Sequence, residues 1–323
     1  MLDDCGRRID YLRISITDRC NLRCVYCMPE GGVSTLRHSD ILSYEEIVRL
    51  TGLLTRLGVR HLRVTGGEPM ARRGCLDLVR RLHETGGVET IAMTTNALLL
   101  RGRVAEARAA GLDALNISLD TVDPATYAAM TRGGRVEDVL SVIDDAVSLG
   151  MRVKVNAVPV RGMNDHQLAA LAVLARDREI HVRFIELMPV GCGAGLSPVP
   201  SDEVLARMEA AFGPLAPDTS RHGFGPARYV RPEGFAGSIG VISPMSHEFC
   251  NRCNRVRLTA DGYLKLCLNH QAGLDVRALL REGADDDALL EALRAAIARK
   301  PARHGFLEEI GDREERRMNE IGG

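Results

Sequence analysis

Between residues 11 and 187 the chain changes period repeatedly. Stretches of alternating apolar and polar residues are followed by stretches with apolar residues at helical spacing. The strand-like stretches are 11–17, 59–65, 88–94, 114–119, 152–160 and 181–187. The helical ones fall at 44–57, 75–84, 101–110, 124–130, 136–149 and 165–176. Ser43 opens the first with a capping-box pattern to Glu46, and Gly58 stops it. Six strands and the helices between them, at about 30 residues per unit, dictate an α/β fold with a parallel sheet and right-handed crossovers. Spacing alone admits an open sheet or a barrel. Either way, sites gather at the C-terminal ends of the strands.

Composition shifts after Pro189. Residues 189–247 are rich in Gly, Pro and Ser, with one helix expected at 202–212. Short strands are expected at 228–231, 238–242, 256–259 and 263–267, and helices at 274–281 and 285–299. The charged tail 311–320 ends in Ile321-Gly322-Gly323, and its run 313–317 reads as a solvated connector. The chain thus divides into a core, 1–188, and an extension, 189–323, that covers and extends it. At 45% hydrophobic it can bury a core, but with 4% aromatics and no Trp it must pack with Leu, Val, Ile and Ala.

Nine cysteines and a net charge of −1 narrow the chemistry. Near-neutral charge argues against a nucleic-acid binder that works through bulk electrostatics. The first residues carry no apolar signal segment, and no run of 18 apolar residues suggests a membrane span. Cysteines in clusters favour metal and a reducing, cytoplasmic compartment. Cys20, Cys24 and Cys27 are spaced C-x3-C-x2-C on the loop after the first strand. Three thiolates suit a soft metal. They would hold three corners of a [4Fe–4S] cube and leave one iron open. Cys250, Cys253 and Cys267 form a second set, C-x2-C-x13-C. There a Cys3His zinc site completed by His247 or His270 competes with a cluster. Arg255 and Arg257 follow at once and suit an anion or a purine edge, although a solvated basic strand has the same composition. Cys5, Cys75 and Cys192 read as ordinary thiols.

The first triplet, with Tyr26 just before its last cysteine, resembles the radical S-adenosylmethionine (SAM) signature. Further motifs make the resemblance more specific: Arg63-Val-Thr-Gly-Gly-Glu-Pro69, Thr94-Thr-Asn96, Asn116-Ile-Ser-Leu-Asp120, Lys154-Val-Asn156, Phe184-Ile-Glu-Leu-Met188, the second triplet and the final Gly322-Gly323. Together, over nearly the whole chain, they resemble the GTP 3′,8-cyclase family. One departure stands out: the family's Thr-Thr-Asn-Gly is Thr-Thr-Asn-Ala97 here.

The resemblance implies a partial (β/α)6 barrel of the radical SAM type, similar to a TIM barrel, with a second Fe–S cluster in the extension. It implies conversion of GTP to (8S)-3′,8-cyclo-7,8-dihydroguanosine 5′-triphosphate, the first step toward molybdopterin. The chemistry carries over as a 5′-deoxyadenosyl radical that takes the C3′ hydrogen. The cofactors are SAM and two [4Fe–4S] clusters, on Cys20, Cys24 and Cys27 and on Cys250, Cys253 and Cys267. Tyr26, Gly67, Ser118 and Met188 match SAM contacts. Arg13, Arg63, Thr94, Lys154, Arg183, Arg255 and Arg257 match GTP contacts, Thr94 being chosen over Thr95 by ungapped spacing. The Gly322-Gly323 tail, a frayed end on its own merits, is implied to enter the active site and to be needed for cyclisation. Implied partners are GTP, a flavodoxin- or ferredoxin-type reductant and cyclic pyranopterin monophosphate synthase as the next enzyme. A homodimer is compatible with this reading. Two rivals stand beside it: another two-cluster radical SAM enzyme acting on a peptide, and a zinc or iron–sulfur scaffold without catalysis.

Overall fold

Alternation within each strand sets the architecture. The computed structural model describes residues 1–306, 314 and 316–322. Six strands, β1 (Tyr11–Ser15), β2 (His61–Thr65), β3 (Thr90–Thr95), β4 (Ala114–Ser118), β5 (Arg152–Ala157) and β6 (His181–Ile185), pair in parallel in chain order. Their outward residues are aliphatic in nearly every case. Leu12, Ile14, Leu62, Val64, Ile91, Met93, Leu115, Ile117, Val153, Val155, Val182 and Phe184 are all buried in one core. Each such side chain contributes about 1.5–3 kcal/mol of burial. The inward residues are largely polar or cationic: Arg13, Arg63, Thr94, Asn116, Ser118, Lys154, Asn156 and Arg183. One face of the sheet therefore seeks helices and the other a ligand.

Helices α1 (Tyr44–Arg56), α2 (Cys75–His83), α3 (Val104–Ala109), α4 (Pro124–Thr131), α5 (Val136–Ser148) and α6 (Leu168–Ala172) follow the strands. At α1, Ser43 Oγ accepts from Glu46 N–H and Glu46 accepts from Ser43 N–H, so the capping box is formed. Two helices are shorter than their sequence pattern. α3 starts at Val104, because Gly102 sits at φ +70°, outside helical space. α6 starts at Leu168, because Asp165 accepts from Gly162 N–H and holds the preceding turn open.

The second half extends the sheet of the first. After α7 (Ser201–Phe212) come β7 (Leu215–Asp218), β8 (Arg228–Pro232) and β9 (Ser238–Ile242), then β10 (Arg255–Leu258), β11 (Tyr263–Lys265) and β12 (Gly273–Asp275). β9 adds in parallel to β6, and β10 adds in parallel to β1. One sheet results, ordered β12-β11-β10-β1-β2-β3-β4-β5-β6-β9-β8-β7. Residues of all the strands from β10 through β9 line one cavity, so this parallel stretch wraps around a lumen. Pattern reading missed β7 and β12. Both are short edge strands, and β7 carries Pro217, which an edge tolerates because it donates no ladder hydrogen bond.

Helices α8 (Val276–Arg281), α9 (Asp286–Ala298) and α10 (Met318–Ile321) complete the chain. The tail departs from the solvated connector expected at 313–317. Glu314 pairs with Lys265, whose side chain is fully buried, and Arg316 lies over the Tyr263 ring. No helix among the described residues is long and apolar enough to cross a membrane.

Candidate active site

The first cysteine triplet occupies the loop that leaves β1. Backbone bonds from Arg23 and Val25 to Thr131 and Met130 tie this loop to the end of α4. The Leu22 N–H reaches Cys20 Sγ at 3.4 Å, and Asn96 Nδ2 reaches it at 3.7 Å. Burial raises all three thiols, Cys27 to about 12, so a metal must displace their protons as it binds. In neither triplet do the three sulfurs all come within 4.8 Å of one another. A single tetrahedral zinc would hold them about 3.8 Å apart. The donor set, three thiols facing a cavity, fits a cluster with an open iron.

The Gly66-Gly67-Glu68 turn leaves β2 beside that loop. A Cβ on Gly67 would lie 2.4 Å from Arg19 O, so only glycine allows the close approach. Glu68 is wholly buried and accepts from Met70 N–H, Thr95 Oγ1 and Asn96 N–H; burial lifts its carboxyl to about 7. Tyr26 donates to Asp120 Oδ2 at 2.8 Å. Asp120 also accepts from Val158 N–H and is lifted by burial to about 6. Tyr26, Gly67, Ser118 and Met188 all line the cavity.

Six cations gather inside the sheet: Arg13, Arg63, Lys154, Arg183, Arg255 and Arg257. Among the described residues none pairs with a carboxylate, and they weigh chiefly on one another. Burial, then Arg257 and Arg63, depresses Arg13. Burial, then Arg255, draws Arg257 down to about 10. Burial, then Arg183 and Arg63, draws Lys154 down to about 6. Arg13 Nε, Arg63 Nε and Thr94 Oγ1 are buried with no hydrogen-bond partner. Such orphaned groups cost roughly 1–3 kcal/mol each unless a ligand meets them. The neighbouring Thr95 hydroxyl is already engaged by Glu68.

The second triplet faces the same space. His304 N–H reaches Cys250 Sγ at 3.4 Å, and Arg255 Nη2 reaches Cys253 Sγ at 3.8 Å. Burial raises the Cys253 thiol, but Arg255 and Lys300 outweigh it and bring the group to about 6. His247 is turned to Asp202 at 3.1 Å, and His270 lies 3.0 Å from Arg303 O. Neither histidine joins the triplet. Instead Glu248, Cys250 and His304 bring ligand atoms within 4.8 Å of one another. One cavity of about 320 Å³ is lined by all six cysteines and by Arg13, Arg63, Thr94, Arg183, Arg255 and Arg257. Lys154 is not on its wall. A Cβ on Gly223 would lie 2.5 Å from Lys154 Nζ, so the segment after β7 covers this lysine. Gly322 O accepts from Arg257 Nη1 at 2.9 Å, which brings the tail to the site. Gly323 lies outside the described residues.

Residues 14–175 match the family described as the Radical SAM superfamily, and residues 180–306 match Molybdenum Cofactor Synthesis C. GTP 3′,8-cyclase of Pelotomaculum thermopropionicum is 46% identical over 100% of both chains. This chain belongs to the GTP 3′,8-cyclase family. The enzyme of that name from Heliobacterium modesticaldum is 44% identical, again over 100% of both chains. Among solved structures, Streptococcus suis SuiB bound to S-adenosylmethionine shares the fold, with TM-score 0.62 and 15% identity over 88% of this chain and 68% of that one.

In this member of the cyclase family several site residues escaped the sequence reading. Asn116 and Asn156 accept from Arg183 at 2.7 and 2.9 Å and fix its guanidinium. Both stood inside quoted motifs, and period-two alternation places them on the inward face. Lys300 and His304 reach the second triplet from beyond α9, with no local signal. Ala97, where the family has glycine, holds φ +70°, steadied by its N–H on Thr95 Oγ1 at 2.9 Å.

Proposed function

We propose that the five uncompensated arginines around the cavity between the two cysteine triplets, with Lys154 behind them, form the seat of the GTP triphosphate and base in a GTP 3′,8-cyclase. That one observation carries the assignment of residues. Cations that are buried or half-buried without carboxylates call for a polyanion. The product is (8S)-3′,8-cyclo-7,8-dihydroguanosine 5′-triphosphate. Cys20, Cys24 and Cys27 hold a [4Fe–4S] cluster, with SAM against Tyr26, Gly67, Ser118 and Met188. Cys250, Cys253 and Cys267 hold a second cluster. When bound, cluster and SAM supply the one-electron chemistry that an unactivated ribose C–H bond requires.

The chain's own residues position and exclude. Arg13, Arg63 and Arg183, with Thr94, bind one end of the nucleotide, and Arg255 and Arg257 the other. Lys154 joins them when the segment over it moves aside. Fixing both ends holds the ribose between the triplets, where a 1 Å misplacement costs on the order of 10²-fold in rate. Gly322, held by Arg257, closes the cavity against water. Free cysteines and the need for a reductant of flavodoxin or ferredoxin type support a cytoplasmic enzyme, with cyclic pyranopterin monophosphate synthase taking the product.

Anaerobic reconstitution tests the reading. The full chain should take up about eight irons and, with SAM, GTP and dithionite, release 5′-deoxyadenosine and the cyclised nucleotide. Cys253→Ala should lose roughly half of that iron and all cyclised product. Zinc at the second site, or full product from the variant, sinks the two-cluster assignment.

A further inference from the structure

The tail brings a second, unassigned polar group into the cavity. Asn319 lies on α10, is 1% exposed and lines the space between the triplets. Its Nδ2 donates to Asp18 O at 3.3 Å, but its Oδ1 is buried without a partner. Turning the amide over would set oxygen against the Asp18 carbonyl, so the orphan acceptor cannot escape by a flip. A buried acceptor of this kind waits for a donor, and its isolation costs roughly 1–3 kcal/mol.

Position identifies the donor. The Asn319 backbone N–H acts on the Cys27 thiol, which puts the residue beside the first triplet. Asp18 O, its side-chain partner, is 2.7 Å from where a Gly67 Cβ would stand. Asn319 therefore sits over the junction of the cysteine loop and the glycine turn. Of the two groups with which SAM would chelate an open iron, the carboxylate only accepts, so the amine is the one that can donate to Asn319 Oδ1. We propose that Asn319 binds the cofactor directly, its Oδ1 accepting a hydrogen bond from the methionyl amine of S-adenosylmethionine. The proposal rests on the reading of Cys20, Cys24 and Cys27 as the SAM-binding cluster. It makes the C-terminal helix part of the SAM site as well as a neighbour of the nucleotide.

Equilibrium binding of SAM and, separately, of GTP to the reconstituted, oxidised full chain tests this without turnover. Wild-type SAM binding reports on the cluster reading, and the variant-to-wild-type ratio reports on Asn319. Asn319→Leu removes acceptor and donor. Asn319→Asp keeps the acceptor and loses the donor to Asp18. SAM affinity should fall about 10-fold in N319L, the loss of one hydrogen bond, and stay within about threefold of wild type in N319D. GTP affinity should hold in both. The change in the reduced cluster's EPR signal on adding SAM should be lost in N319L at SAM levels that saturate N319D. Equal losses in the two variants would mean that Asn319 only anchors the tail, and overturn the proposal. So would unchanged SAM binding in N319L, or a loss confined to GTP, which would assign the donor to the substrate ribose.

Discussion

Lys154 shows what a binding site costs a folded chain. Burial, with Arg183 and Arg63 behind it, draws its ammonium from 10.5 to about 6. A base with a depressed folded pKa binds its proton less well when native. Its contribution to stability is present above about pH 10.5 and is lost as pH falls through about 6. Lys154→Met should therefore stabilise the ligand-free protein at pH 7 by about 1–4 kcal/mol and flatten its stability between pH 6 and 10. The same variant should bind GTP at least about 10-fold more weakly. Urea melts across that pH range, with a GTP titration, check both. A variant less stable than wild type at pH 7 would show that Lys154 is not carrying this strain. The residue type was readable from Lys154-Val-Asn156, whereas its burial under the segment at Gly223 was not, because that segment lies some 70 residues further along the chain.

Among the elements, α10 and the glycine after it are the least expected. Four residues cannot form a stable helix alone. This one is held by Ile321 packing on Val190 and Phe306, and by the Arg317–Glu320 pairing at its start. Gly322 follows at φ +86°, and a Cβ there would lie 2.6 Å from Thr65 Oγ1 and 2.7 Å from Ser15 Cβ. Side chains are excluded on two counts, backbone conformation and space. Gly322→Ala should lower cyclised product at least about 10-fold while 5′-deoxyadenosine release persists. Chromatography of both products from one reaction decides it; equal retention of the two would remove the steric argument. By contrast α1 was legible throughout, since Ser43, Glu46 and Gly58 are local signals.

At the scale of the molecule, the sheet separates two solvents. Its outer face is hydrocarbon under helices, and its inner face is cationic around the cavity. Ligand-free protein thus holds like charges together, and a polyanion should relieve them. At 100 times its dissociation constant a ligand adds about 2.7 kcal/mol, which for a chain of this size is on the order of 5 °C in Tm. GTP and inorganic triphosphate should each raise Tm in low salt, the second with a steeper loss as salt increases. Guanosine at equal concentration should raise it far less. Stabilisation by guanosine alone would place the dominant contacts on the base rather than on the phosphates. The strands beyond residue 188 belong to this same sheet. β9 and β10 flank the first six strands, so each part is left with an open edge without the other.

Local and periodic properties were legible from the residues alone. The strand–helix alternation, the inward set of each strand, the first thiol triplet, the Cys250–Cys253 pair and the capping box all rest on neighbours within a few positions. Folding decided what depends on distant neighbours. It brought β9 and β10 to the flanks of the first six strands and set both triplets and five arginines around one cavity. It threaded the tail between Cys27 and Arg257 and left Asn319 Oδ1 without a partner. Such features arise because burial and unmet hydrogen bonds are properties of packed surroundings, which no short window of sequence contains.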